Sequence, residues 1–127
     1  MNQSKSFSCR SERFPELVGA VRAWLETQNF NCQKLTTEDG GTLIQIEKSG
    51  GWRKLIGMST ALNIIFRQVE NTVNIEIGAG RWLDKAAAGA VSLVLLWPLA
   101  LTAGIGAWQQ TQMPEKIYQY IADYLSA

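Results

Sequence analysis

The chain has 127 residues, of which 46% are hydrophobic and 18% charged, with a formal net charge of +1. That length supports one domain with a genuine core rather than two. Near-neutral charge argues against a nucleic-acid partner, which needs many phosphates neutralised, and a mean hydropathy of −0.05 argues against several membrane spans. There is no histidine, so neither a histidine-based catalytic triad nor a histidine-ligated metal site can be built. Cys9 and Cys32 are too few for a four-thiolate zinc site and do not form a Cys-x-x-Cys pair. They read as half-buried strand cysteines in a reducing cytoplasm, and they would pair only in an oxidising compartment. The first ten residues, MNQSKSFSCR, lack the apolar stretch of a secretory signal, so the expected location of the folded domain is the cytoplasm.

Lys5 to Cys9 alternates and predicts a leading strand. Phe14, Leu17, Val18, Val21, Trp24 and Leu25 then recur at three- and four-residue steps, which predicts a helix with one apolar stripe. Ser11 is placed as its N-cap, Pro15 in its first turn and Asn29 at the left-handed C-terminal position.

After this helix the period changes to two. Asn31–Thr37 and Thr42–Lys48 flank Glu38-Asp39-Gly40-Gly41, a hairpin signal because Asp-Gly and Gly-Gly tolerate positive φ. Ala61–Val69 and Thr72–Gly78 form a second hairpin, joined at Glu70-Asn71. Ile44, Ile46, Val73, Ile75 and Ile77 fall on one face of these strands, and Gln45, Glu47, Asn74 and Glu76 on the other. Leu62, Ile64, Ile65 and Phe66 are apolar on both sides, which marks a central or bulged strand. Alternation predicts one buried face and one open face, the latter presenting Gln45, Glu47, Arg67, Asn74 and Glu76 as a candidate binding surface.

The run Ala86–Trp108 carries no charge; none occurs between Lys85 and Glu115. Val91, Leu93, Val94, Leu95, Leu96, Leu99, Leu101 and Ile105 supply about −2 to −5 kcal/mol on an insertion scale. A mid-helix proline, here Pro98, costs about 3 kcal/mol in water. The sum lies near zero, so the expectation is a kinked pair of short helices, 85–96 and 98–110, broken at Trp97-Pro98. Pro114 then opens a last helix, 114–126, with the stripe Ile117, Tyr120, Ile121, Tyr124 and Leu125.

These elements predict an α+β fold of two layers: a five-stranded antiparallel sheet in the order β-α-β4-α, with a C-terminal helical segment broken at Pro98. Residues 1–80 make the sheet domain and 81–127 the helical segment, as one structural unit. The order resembles the repeat unit of the TATA-box-binding-protein fold in topology only, and a helix-grip sheet is the second choice. GGWRKLIGMSTAL at 50–62 and RWLDKAAAGAVSLVLLWPLALTAGIGAWQQTQMP at 81–114 are similar to a small bacterial domain family, over about residues 5–125. The resemblance implies a compact bacterial module and brings no catalytic residues.

Chemistry is sparse. Gly78-Ala79-Gly80 lacks the third glycine and the Lys-Ser/Thr pair of a phosphate loop, and Glu38-Asp39 sits in a turn. The expectation is a protein that is not an enzyme, with no metal and no cofactor. Two segments mix tryptophan with basic and aliphatic residues: Trp52, Arg53, Lys54, Leu55, Ile56 and Met58, then Arg81 and Trp82. That is the composition of a headgroup-level anchor. With Leu95, Leu96, Trp97, Leu99 and Trp108 they form the expected contact with membrane lipid or a membrane protein. The resulting reading is a membrane-associated binding or adaptor module with a cytoplasmic domain. The alternative is a soluble cytoplasmic module that holds a small apolar ligand or forms a homodimer.

Overall fold

The computed structural model describes residues 3–37, 40–48, 60–81, 90–91 and 112–126. β1 (Gln3–Ser8) leads through a 3-10 turn (Ser11–Arg13) into α1 (Phe14–Thr27). β2 (Phe30–Thr37), β3 (Thr42–Lys48), β4 (Thr60–Val69) and β5 (Thr72–Arg81) follow. A two-residue β6 (Ala90–Val91) and a final helix, α2 (Met113–Ser126), complete the described elements. The sheet order is β1-β5-β4-β3-β2-β6. Its first five strands are all antiparallel, so the β-α-β4-α layout of an α+β fold is the observed one.

The hairpin turns sit where the glycines and polar residues place them. Gly40 takes φ +88°, a conformation that costs glycine nothing. Gly41 meets a different demand: a Cβ there would lie 2.9 Å from Thr37 Oγ1 and 3.2 Å from the Phe66 carbonyl oxygen. Its amide instead donates to Thr37 Oγ1 at 2.8 Å. Asn29 ends the α1 turn at φ 70°, as its side chain permits. Ser11 does not cap α1: it opens the 3-10 turn, and the helix starts at Phe14 after Arg13 with Pro15 in its first turn. Phe14 takes α-helical angles (φ −59°, ψ −49°) in spite of the restriction that Pro15 places on the residue before it.

Both helices cover one face of the sheet. Leu17, Val18, Val21 and Leu25 of α1 and Ile117, Tyr118 and Ile121 of α2 pack on Ile44, Ile46, Leu62, Ile64, Phe66, Val73, Ile75 and Ile77. Each such aliphatic or aromatic side chain contributes about 1.5–3 kcal/mol on full burial. The helices run antiparallel: Tyr120 reaches the Ala20 carbonyl at 3.4 Å, and Tyr124 reaches Glu16 Oε1 at 3.5 Å. Trp24 stacks on Tyr120 with ring centroids 4.6 Å apart. The Tyr118 hydroxyl donates to the Ile75 carbonyl at 3.3 Å, which satisfies the polar end of a buried ring.

β6 departs from the expected helix over 85–96. Ala90 and Val91 are extended and pair in parallel with Thr36 and Thr37. The outer edge of β2 offers unpaired backbone groups there, and β-branched Val91 suits a strand. An uninterrupted helix from Ala86 to Trp108 is therefore excluded at these two positions. The expected break at Pro98 lies outside the described residues.

Candidate functional site: the polar face of the sheet

The second face carries the polar side chains that alternation assigned to it. Antiparallel registers align Gln33 with Gln45, Gln45 with Asn63, and Asn63 with Gly78. One row of amide side chains therefore crosses β2, β3 and β4 at right angles to the strands. Gln33 Nε2 donates to Gln45 Oε1 at 2.8 Å, and Gln45 Nε2 donates to Asn63 Oδ1 at 2.7 Å. Each amide offers both a donor and an acceptor, so the row forms a directed chain.

This face is not open where the sequence placed its centre. Gln45 and Asn63 are 0% exposed and Glu47 is 8% exposed, while Leu43, Ala61 and Ile65 on the same face are fully buried. The expectation of a solvated surface at Gln45 and Glu47 is thus corrected. Period-two alternation tells which side chains share a face, but not whether that face is wet. Polar groups enter an interior when they are hydrogen-bonded, and the amide chain meets that condition.

Towards β5 the face is wetter. Arg67 Nη1 lies 2.6 Å from Glu76 Oε1, with side-chain exposures of 25% and 27%. Arg67 is in direct register with Asn74, so its pair with Glu76 is the diagonal contact one sheet face permits. Asn74 Nδ2 donates to Ser6 Oγ of β1 at 3.1 Å. Of the five residues read from the sequence, all share one face: Gln45 and Glu47 are interior, and Arg67, Asn74 and Glu76 are half-buried. Gln33 and Asn63 were missed. The available signal for Asn63 was a lone amide inside Ala61-Leu62-Asn63-Ile64-Ile65, an interior polar residue that needs a cross-strand partner.

The chemistry described on this face is that of the amides, the interior Glu47 carboxylate and the Arg67–Glu76 ion pair. The thiols lie elsewhere. Cys9 and Cys32 are both free. Burial pushes the Cys32 thiol up to about 11, with Glu26 adding to the rise and Arg22 opposing it. Burial likewise raises Cys9 against the pull of Arg13. Both are therefore protonated at neutral pH and poor nucleophiles. Among the described residues no group of three or more histidine, cysteine or acidic side chains could hold a metal ion.

Of the other candidate contacts, Arg81 is described. Arg81 closes β5 in register with Thr60, the first residue of β4. Extending the Ile46–Leu62 register by two residues brings Lys48, the last residue of β3, beside Thr60. Trp52, Arg53, Lys54, Leu55, Ile56 and Met58, and Trp82, Leu95, Leu96, Trp97, Leu99 and Trp108, lie outside the described residues. Among the described residues no helix is long and apolar enough to cross a membrane. Comparison with protein-family models, curated proteins and solved structures finds no match to this chain.

Proposed function

We propose that this chain is a non-enzymatic, membrane-associated binding or adaptor module, docked through the end of the sheet formed by Lys48, Thr60 and Arg81. The supporting observation is the row of strand ends. β3 ends at Lys48, β4 begins at Thr60, and β5 ends at Arg81, the direct partner of Thr60. The two sequence segments that mix tryptophan with arginine and lysine are thereby tethered to neighbouring strand ends, although they are about 30 residues apart in sequence. Tryptophan rings settle at headgroup level, and each nearby basic residue adds about 1 kcal/mol of attraction to an anionic surface. A non-enzymatic role is favoured by the state of the polar side chains. The amides of Gln33, Gln45 and Asn63 are spent on one another, and Glu76 is spent on Arg67.

Sedimentation of the full chain with vesicles tests this reading. The expected result is co-sedimentation with phosphatidylserine-containing vesicles, weakened by salt, and little with phosphatidylcholine alone. The double substitution Trp52→Ala/Trp82→Ala is expected to lower partitioning several-fold without changing the melting transition. A protein that stays in the supernatant with both vesicle types refutes the proposal.

A further inference from the structure

We infer that the opposite end of the sheet holds a binding site for a small soluble phosphorylated compound, gripped through its phosphate by Arg10 and Arg13. A cleft of about 510 Å³ opens there, lined by Ser8, Cys9, Arg10, Arg13 and Asn71. That volume exceeds what inorganic phosphate fills, and it falls in the range of small-molecule pockets. Ser8 pairs with Thr72 at the end of the ladder, next to Asn71 in the β4–β5 turn. The cleft is thus a full strand length from Arg81.

The backbone carrying the two arginines is held on three sides. The Cys9 amide donates to the Asn71 carbonyl at 2.9 Å, Gln68 Nε2 donates to the Cys9 carbonyl at 3.0 Å, and the Arg13 amide donates to the Arg10 carbonyl at 2.9 Å. That last bond closes the 3-10 turn, which Arg10 enters in extended conformation (φ −66°, ψ 147°) and Arg13 ends. Arg10 and Arg13 thereby both line the cleft. Arg13 is steadied by the Tyr124 ring, whose centroid lies 5.2 Å from its guanidinium carbon. Neither arginine is ion-paired among the described residues, where the described bridges use Arg22 and Arg67. Of the nearby carboxylates, Glu12 is exposed, and Glu16 accepts a hydrogen bond from the Tyr124 hydroxyl. Two guanidinium forks on one cleft, neither ion-paired among the described residues, match the spaced oxygens of a phosphate better than a single carboxylate. The Cys9 thiol, kept neutral by burial, adds no competing negative charge.

Titration of the full chain with inorganic phosphate and with glycerol 3-phosphate, followed by two-dimensional NMR at constant ionic strength, tests the site. Saturable shifts are expected at Arg10 and Asn71, with glycerol 3-phosphate binding the tighter of the two. Arg10→Ala is expected to weaken both by at least tenfold. Arg13→Lys, which keeps the charge and loses the fork, is expected to weaken them three- to tenfold while the spectrum stays folded. Shifts that chloride reproduces, or an Arg10→Ala variant with unchanged affinity, overturn the inference. So does capture by phosphatidic acid vesicles that depends on Arg10 while the free phosphates do not bind. The vesicle experiment with Trp52 and Trp82 reads the other end of the sheet, so the two proposals fail separately.

Discussion

At their centres the two faces of the sheet are equally buried, by different physical means. On the helix face, Ile44, Ile64, Phe66 and Ile75 interdigitate with α1 and α2, and the stabilisation comes from apolar area removed from water. On the opposite face Gln45 and Asn63 are equally inaccessible, yet their stability rests on each amide having a partner. Apolar packing is additive and forgiving of small rearrangement. An amide chain contributes little net stability when complete and loses much when one member is removed. The helix face therefore supplies most of the folding energy, and the amide face restricts which strand registers are acceptable.

The difference can be broken most directly at its centre. Phe66→Ala on the helix face is expected to cost about 3–5 kcal/mol in denaturant unfolding. Gln45→Ala, in the middle of the amide chain, is expected to cost about 1–3 kcal/mol, from stranding the Gln33 donor and the Asn63 acceptor. Equal losses in the two variants would show that the faces are not energetically distinct. A pH series separates them further, because the described groups with displaced titration, Cys9, Cys32 and Tyr118, lie on the helix face. The Cys32 thiol moves from 9.0 to about 11 on folding. Below pH 9 folded and unfolded thiols are both protonated and the stabilisation is complete. Between 9 and about 11 the unfolded thiol ionises first, so stability falls as pH rises. The raised Tyr118 phenol acts in the same direction at higher pH. Melting temperatures should decline above pH 9, and Cys32→Ala should flatten that decline. The smallest effect belongs to the wet margin of the amide face. A double-mutant cycle on Arg67 and Glu76 should give about 0.2–1 kcal/mol, reduced by added salt.

The elements were legible in the sequence because each rests on a local rule. The Glu38–Gly41 and Glu70-Asn71 turns set two hairpins, and the stripe from Phe14 to Leu25 set a helix. The β-α-β4-α order assembled from these elements is the observed one. Three features were hidden because they depend on distant residues. The alignment of Gln45 with Asn63 joins β3 to β4 across residues 49–59, a connection whose length in sequence leaves that register open. β6 pairs Ala90 with Thr36, an edge contact that periodicity cannot express. Tyr118 is buried beside Ile117 although it lies off the narrow stripe, because its hydroxyl finds the Ile75 carbonyl. The arginine cleft was equally silent: Arg10 and Arg13 line it on either end of the 3-10 turn that precedes α1.

The place of β1 in the sheet bears on the order in which the chain is assembled. β1 leaves the ribosome before the other described elements, yet its partner is β5: Ser8 meets Thr72 and Gln3 meets Ile77, 64 and 74 residues later. The β2–β3 and β4–β5 hairpins can close while synthesis continues, since their strands are neighbours in sequence. β1 must wait as an unpaired strand, and closing so long a loop is slow. Its composition is fitted to that delay: Gln-Ser-Lys-Ser-Phe-Ser carries one large apolar residue and a lysine, which makes it a poor template for stray pairing with other nascent chains.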